Sequence, residues 1–278
     1  MRRRGFITVL GGAAAAWLLA APAQQSDGRA RTLLLRILQL HADSAAAKIG
    51  QFITEIVNQV GWTTQLPRSV GRMEQRRFDA LRLLRQAFDV TEIALLDPSG
   101  HEQLHVSRLA TDVVGSNLDL SADPKFTEAM AHKVYFGPVY FRRESEPYMT
   151  LSLAGTRSES GVSVAEIEVS PIWGVVSQIK LGDHGAAYVV DREGRLIAHP
   201  NISLVLRNTD MSQFAQVQAA RRVAEDAPAQ QVQVAQDEQG RDVLTAYAQV
   251  TPGLPGLPPL GWHLFVELPL AEANTAVP

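Results

Sequence analysis

The sequence predicts an α+β chain, a long N-terminal helix followed by two tandem units of antiparallel sheet. Three observations predict it. Thr32 to Val60 carries apolar residues at helical spacing. Three turns read DxxG, at Asp97, Asp191 and Asp237, and each stands between β-rich segments. The first two of these turns lie 94 positions apart (191 minus 97), too far for a solenoid repeat and suited to two similar small domains. In each turn the Asp side chain can accept from backbone N–H groups ahead of it, and the Gly can take positive φ, as a type I turn closed by a G1 bulge requires.

Bulk composition narrows the function classes. The chain has 278 residues, is 46% hydrophobic and 20% charged, and has a formal net charge of -3, which suits two modest globular cores. Basic residues are scattered, so nucleic acid is not an expected partner. There is no cysteine, hence no disulfide framework, thiolate metal site or cysteine nucleophile.

Residues 1–23 read as an export signal: Arg2, Arg3 and Arg4, an apolar run from Phe6 to Ala21, and the small-residue site Ala21, Pro22, Ala23. Arg3 to Ile7 also resembles a twin-arginine signal, with Arg2 where Ser or Thr is usual. The run is short for a permanent span, which favours cleavage after Ala23 and a periplasmic domain; without cleavage it would serve as a membrane anchor. Residues 24–75 then hold a polar link, the long helix and a linker. The helix stripe is Leu34, Ile37, Leu38, Ile49, Phe52, Ile53, Ile56, Val57 and Val60, with Arg36, Asp43, Lys48 and Glu55 on the polar face. Such a helix serves either as a homodimer seam or as the spine on which the sheets pack. Gly61 to Gly71, with Pro67, is expected to break it.

A second helix from about Met73 to Phe88 presents Leu81, Leu84 and Phe88 on one face. The first unit, residues 76–182, continues with the Asp97 hairpin and a helix from Asp123 to His132, where Asp123 supplies the cap and Pro124 the first turn. Strands follow at Val134–Phe141, Pro147–Ala154 and Gly161–Val169. In the middle one Tyr148, Thr150 and Ser152 alternate with Met149, Leu151 and Leu153, so the hydroxyl-bearing face either meets water or lines a pocket. Ser170 and Pro171 start a helix that runs towards Gly182. The second unit, residues 183–278, is a smaller version: the Asp191 hairpin, a helix near Ser212 to Ala224, the Asp237 hairpin, a proline-rich loop and a last strand, Trp262 to Leu268.

This order of parts, with VYFGPVYFRRESEPYMTLSLAG, GVSVAEIEVSPIW and AAYVVDREGRLIAHPNISLVL in succession, resembles the double Cache extracellular sensor domain of bacterial receptors, especially sensor histidine kinases and nucleotide cyclases. The resemblance covers about Thr32 to Leu270 and implies a long N-terminal helix along two PAS-like subdomains, with a small-molecule pocket in the membrane-distal one; no cofactor is expected. Family members that sense amino acids place an arginine before a proline-aromatic helix start and an acid late in the distal sheet. Here Asp123 stands where that arginine would be, and Glu166 where the acid falls. Arg142 or Arg143 can supply a cation from another strand. Tyr135, Tyr140, Arg142, Tyr148, Thr150 and Glu166 are therefore the candidate ligand-binding residues, a few polar groups over an apolar floor.

Receptors of this kind continue into a second span and an output module, whereas this chain ends at Ala276, Val277, Pro278. The reading is an exported sensor domain for signal transduction without its own output module, whose partner is a small molecule and, beyond it, a membrane-bound signalling protein. The alternatives are a periplasmic solute-binding protein for a transporter, expected to show parallel α/β lobes, and a truncated receptor fragment. No HExxH, GxSxG or phosphate loop is present, which argues against an enzyme; a hydrolase would have to rest on Glu166 and Asp123. His101 and His105 can share a strand face but flank no obvious third metal ligand, and His184 and His199 read as structural.

Overall fold

The computed structural model describes residues 13–65, 73–142, 146–157, 160–222 and 233–275. The arginines of the expected export signal and Phe6 to Gly12 lie outside these residues, as do Pro67, Arg143 and the chain end from Ala276. Among the described residues no helix is long and apolar enough to cross a membrane.

Helix α1 (Ala13–Gln65) is the spine. Leu38, Ala42, Ala45, Ile49, Ile53, Ile56 and Val60 form a buried stripe at three- and four-residue steps. Beside the stripe the helix is bonded along its own length, with Gln39 donating to Asp43 at 2.9 Å and Gln59 to Glu55 at 3.2 Å, while Leu33, Ile37, Leu40 and Trp62 are exposed. The helix does not break at Gly61, and residues 24–31, expected as a polar link, are also helical. One glycine costs a helix only about 1 kcal/mol, which the flanking stripe outweighs. Helix α2 (Met73–Gln86) is shorter than its pattern suggested. Its buried residues are Ala80, Leu83 and Leu84, while Phe88 lies beyond its end, 76% exposed, beneath the Arg108 guanidinium.

The first sheet has six strands in the order β3-β2-β1-β6-β5-β4: β1 Val90–Leu96, β2 Glu102–Ser107, β3 Val113–Val114, β4 Val134–Arg142, β5 Glu146–Ala154 and β6 Val162–Glu168. The second has five in the order β8-β7-β11-β10-β9: β7 Ala186–Val190, β8 Leu196–Ala198, β9 Gln233–Gln236, β10 Asp242–Gln249 and β11 His263–Pro269. All ladders are antiparallel, unlike the lobes expected of a solute-binding protein. Without the short β3, the two strand orders are identical. The DxxG turns carry the predicted chemistry: Asp97 Oδ1 accepts from the N–H of Ser99 and His101, Asp191 Oδ1 from Arg195, and Asp237 Oδ1 from Gln239 and Arg241. Gly100, Gly194 and Gly240 have φ of 86°, 90° and 74°.

One face of both sheets packs on α1. Ile93, Leu104, Met149, Leu151 and Ile167 from the first sheet share a core with Leu244, Ala246, Leu264 and Val266 from the second. The spine approaches the loop after β10 closely at Gly50, where a Cβ would collide with the Thr251 carbonyl. Around that contact Gly253 N–H donates to Thr54 Oγ1 at 2.7 Å and Gln39 donates to the Tyr247 carbonyl at 3.1 Å. Helix α4 (Pro171–Ser177) links the units, with Trp173 Nε1 donating to the Ile197 carbonyl at 2.9 Å. It stops five residues short of Gly182. Ser170 does not cap it by side chain; its hydroxyl donates instead to Glu168 at 2.7 Å.

The opposite face of each sheet is covered by a helix of its own, α3 (Pro124–His132) over the first and α6 (Ala215–Arg222) over the second. A short helix α5 (Ile202–Leu206) and a terminal α7 (Leu270–Thr275) complete the chain.

Candidate functional site

The space beneath α3 is built by alternation. Glu92, Ala94 and Leu96 on β1, Val162, Val164 and Glu166 on β6, and Tyr148, Thr150 and Ser152 on β5 all point away from α1. At one end Leu96, Val162 and Val164 pack with Ala94, Phe126 and Ala129. At the other end the same face is ionic. A bulge in β4 between Phe136 and Val139 sets this up: Gly137 lies so close to Thr150 that a Cβ would sit 3.2 Å from the Thr150 Cβ. The shifted register aims Tyr140 and Arg142 over β5.

Glu166 is the centre, 7% exposed. One carboxylate oxygen accepts from Lys125 Nζ at 3.0 Å, the other from the Tyr140 hydroxyl at 2.6 Å, and Thr150 Oγ1 lies 3.0 and 3.1 Å from the two. Lys125 is placed by the start of α3, where Asp123 Oδ1 accepts the Lys125 N–H at 2.8 Å and Pro124 opens the first turn. The Asp123 carboxylate is thus a helix cap. Arg142 donates to the Tyr140 hydroxyl at 3.1 Å and to Glu92 at 2.7 Å, and its guanidinium stands 4.4 Å over the Tyr148 ring. His105 sits between Glu92, at 3.4 Å, and Glu102, at 3.5 Å, and Ser116 closes the row by donating to Glu102 at 2.6 Å.

The charges condition one another. The hydrogen bond from His105 pulls the Glu92 carboxyl down to about 2; burial opposes this and Arg142 adds to it. The same bond raises the His105 imidazole above its ordinary value, against the effect of burial. Burial, then the bond to Glu166, raises the Tyr140 hydroxyl, so it stays a donor. Burial works against the Arg142 charge, but the bond to Glu92, the Glu92 charge and the Tyr140 hydroxyl together more than offset it.

Of the six candidate residues, Tyr140, Arg142, Tyr148, Thr150 and Glu166 meet in this cluster. Tyr135 stands apart, half-buried against the apolar end beside Leu120, Phe126 and Ala129. Sequence reasoning missed Lys125 and Glu92, and weighed His105 only as a metal ligand with His101. The signal for Glu92 was its alternation with Ala94 and Leu96, which puts a carboxylate on an otherwise apolar face. His105, half exposed, faces two carboxylates, while His101 lies 3.8 Å from Asp97.

The second sheet repeats the layout. Glu166 pairs across β6 with Glu92 and Thr150; Glu267 pairs across β11 with Ala186 and Thr245. Asp119 and Asp210, which accept from Ser121 and Ser212, each lie six residues before the donor on the covering helix, Lys125 in one case and Gln216 in the other. Gln216 Nε2 donates to Glu267 at 3.0 Å, as Lys125 does to Glu166, and the Tyr188 hydroxyl donates at 2.7 Å. No cation faces Glu267 among the described residues, and burial raises its carboxyl to about 7.

A model of the Cache domain matches residues 24–277. The chain belongs to the Cache domain family. Its two sheets on one spine are the double form of that fold. The sensory domain of the Campylobacter jejuni chemoreceptor Tlp3, solved with isoleucine bound, superposes with a TM-score of 0.68 at 13% identity, covering 90% of this chain and 98% of that one. The extracellular domain of the putative histidine kinase mmHK1S-Z3 gives 0.67 at 15% identity, covering 89% and 97%. The Pseudomonas aeruginosa PAO1 amino-acid chemoreceptor PctC, in complex with GABA, gives 0.60 at 17%, covering 84% and 99%. Among curated proteins no sequence match was found.

Proposed function

We propose that this Cache domain is the extracytoplasmic input module of a signalling system and that it binds a small amine-bearing acid in its first sheet unit, residues 76–182, the membrane-distal one. The observation that carries the reading is the pair of ion contacts beneath α3, Lys125 on Glu166 and Arg142 on Glu92. An ammonium group already sits on Glu166, so a ligand amine can replace it there with no change in charge balance. A ligand carboxylate can then share Arg142, which the Tyr140 and Tyr148 rings hold in place. The Tlp3 and PctC domains, of the same fold, carry isoleucine and GABA, which supports this ligand class. The module is exported to the periplasm, and its partner is a membrane-bound signalling protein.

The spine provides the route outward. Helix α1 packs on both sheets, so a ligand that draws α3 onto β5 and β6 favours one packing of α1 over another, and shifts it only by its differential affinity for the two. Isothermal titration of the chain with aliphatic α-amino acids and with GABA-like ω-amino acids tests the reading. One of them should bind, and at 100 times its dissociation constant should stabilise the fold by about 2.7 kcal/mol. Glu166→Ala and Arg142→Ala should each abolish that binding while the variants remain folded. Binding that survives both substitutions, or no amine-bearing acid binding the folded chain, overturns it.

A further inference from the structure

The second sheet unit holds a cleft that the reading above does not use. It has a volume of about 810 Å³ and opens between α6 and the ends of β10 and β11. Its walls carry Arg192, from the Asp191 turn, and Arg221 and Arg222, from the last turn of α6, with His263 and Gln249 at the sheet end. No carboxylate lines it among the described residues. Among the described residues the three guanidiniums have no ion-pair partner; Arg192 donates to the Pro259 carbonyl at 3.0 Å, and its side chain lies over Gly261. Asp210 is the nearby acid that feels Arg221.

One buried polar atom at the sheet end adds to this. Among the described residues His263 Nδ1, on the cleft wall, has no hydrogen-bond partner. A buried polar atom without a partner costs about 1–3 kcal/mol, which a ligand oxygen can recover. Burial and then the repulsion of Arg221 lower the His263 imidazole to about 4, and an anion between His263 and Arg221 would offset that repulsion.

We infer that this cleft is a second ligand site, for a small anion carrying at least two negative charges, of the polycarboxylate or phosphate class. Planar guanidiniums on two walls suit the forked oxygens of either, and the volume falls in the range of small-molecule sites. The site is separate from Glu166 and requires no ligand there.

Thermal-shift and calorimetric titration of the full chain with citrate and with inorganic phosphate, against sodium chloride at matched ionic strength, tests it. Citrate or phosphate should bind and raise the melting temperature where chloride does not; which of them binds separates the two classes. Arg192→Gln and Arg221→Gln remove exposed charges and should each weaken binding by about tenfold or more, with unchanged circular dichroism. Glu166→Ala should leave this binding intact, so failure of the first reading is told apart from failure of this one. Equal effects of citrate, phosphate and chloride, or affinity retained in an Arg192→Gln/Arg221→Gln double variant, would overturn the assignment.

Discussion

Replacing Glu267 with glutamine isolates the cost of burying a carboxyl without a cation. Glu267 is 3% exposed and its carboxyl is pushed from the ordinary 4.5 to about 7, by burial first, with Tyr188 and Gln216 opposing. Below pH 4.5 it is protonated in both the folded and the unfolded chain, and the penalty vanishes. Between 4.5 and 7 the unfolded chain releases a proton that the folded chain keeps, so stability falls by about 1.4 kcal/mol per pH unit. Above 7 the loss levels off at a total on the order of 3 kcal/mol. Glutamine does not ionise and keeps a carbonyl for the Tyr188 hydroxyl. Urea unfolding of the wild type and Glu267→Gln from pH 4 to 8 should give curves that converge at the acid end. The variant should gain about 3 kcal/mol relative to the wild type by pH 8. A constant difference across that range would mean that Glu267 ionises in the fold as freely as in the open chain, and would refute the reasoning.

At the first sheet the sign is reversed. Glu92, held at about 2, lends stability that is full above 4.5 and is lost as pH falls towards 2; Glu92→Gln should flatten the acid limb of an unfolding profile. Gly50→Val should cost about 1–3 kcal/mol by overpacking against the Thr251 backbone. Gly253→Ala, whose Cβ would meet Thr54 Oγ1 at an ordinary 3.6 Å, should cost less than 1 kcal/mol; equal urea midpoints for the two would contradict the close approach. Gly240→Ala and Gly194→Ala separate backbone strain from crowding. Both have positive φ, but only at Gly194 does a Cβ come within 2.9 Å of Ser212. The first should cost about 1–2 kcal/mol and the second visibly more in the same assay.

The elements that repeat a local rule were legible in the sequence. The DxxG turns, the Asp123–Pro124 helix start and the alternation along Tyr148 to Leu153 each depend on residues a few positions apart, and each appears where the rule puts it. The ends of α1, α2 and α4 were not legible, because packing on the sheets overrides one glycine in α1, while Phe88 sits past the last turn of α2 and Ile179 past that of α4. At the candidate site the acid and its cross-strand threonine could be read from period two. Lys125 could not, since its meeting with Glu166 spans 41 positions and depends on how α3 lies over β6. Arg142 was read as a cation for this face, but the bulge that aims it is marked only by Gly137 and Pro138.

The two covering helices carry a wider consequence. Both halves place a threonine and a glutamate in register and a donor at the same step of a helix, and they differ in that donor, an ammonium or an amide, and in the residue across the sheet, Glu92 or Ala186. An ammonium and a carboxylate are separate ions that can exchange partners; an amide and a buried acid form, below about pH 7, a neutral hydrogen-bonded pair with nothing to trade. The residue at that step of each helix therefore sets whether the buried acid beneath it is ion-paired or only hydrogen-bonded. Exchanging lysine and glutamine between the two helices would show whether the halves trade these parts.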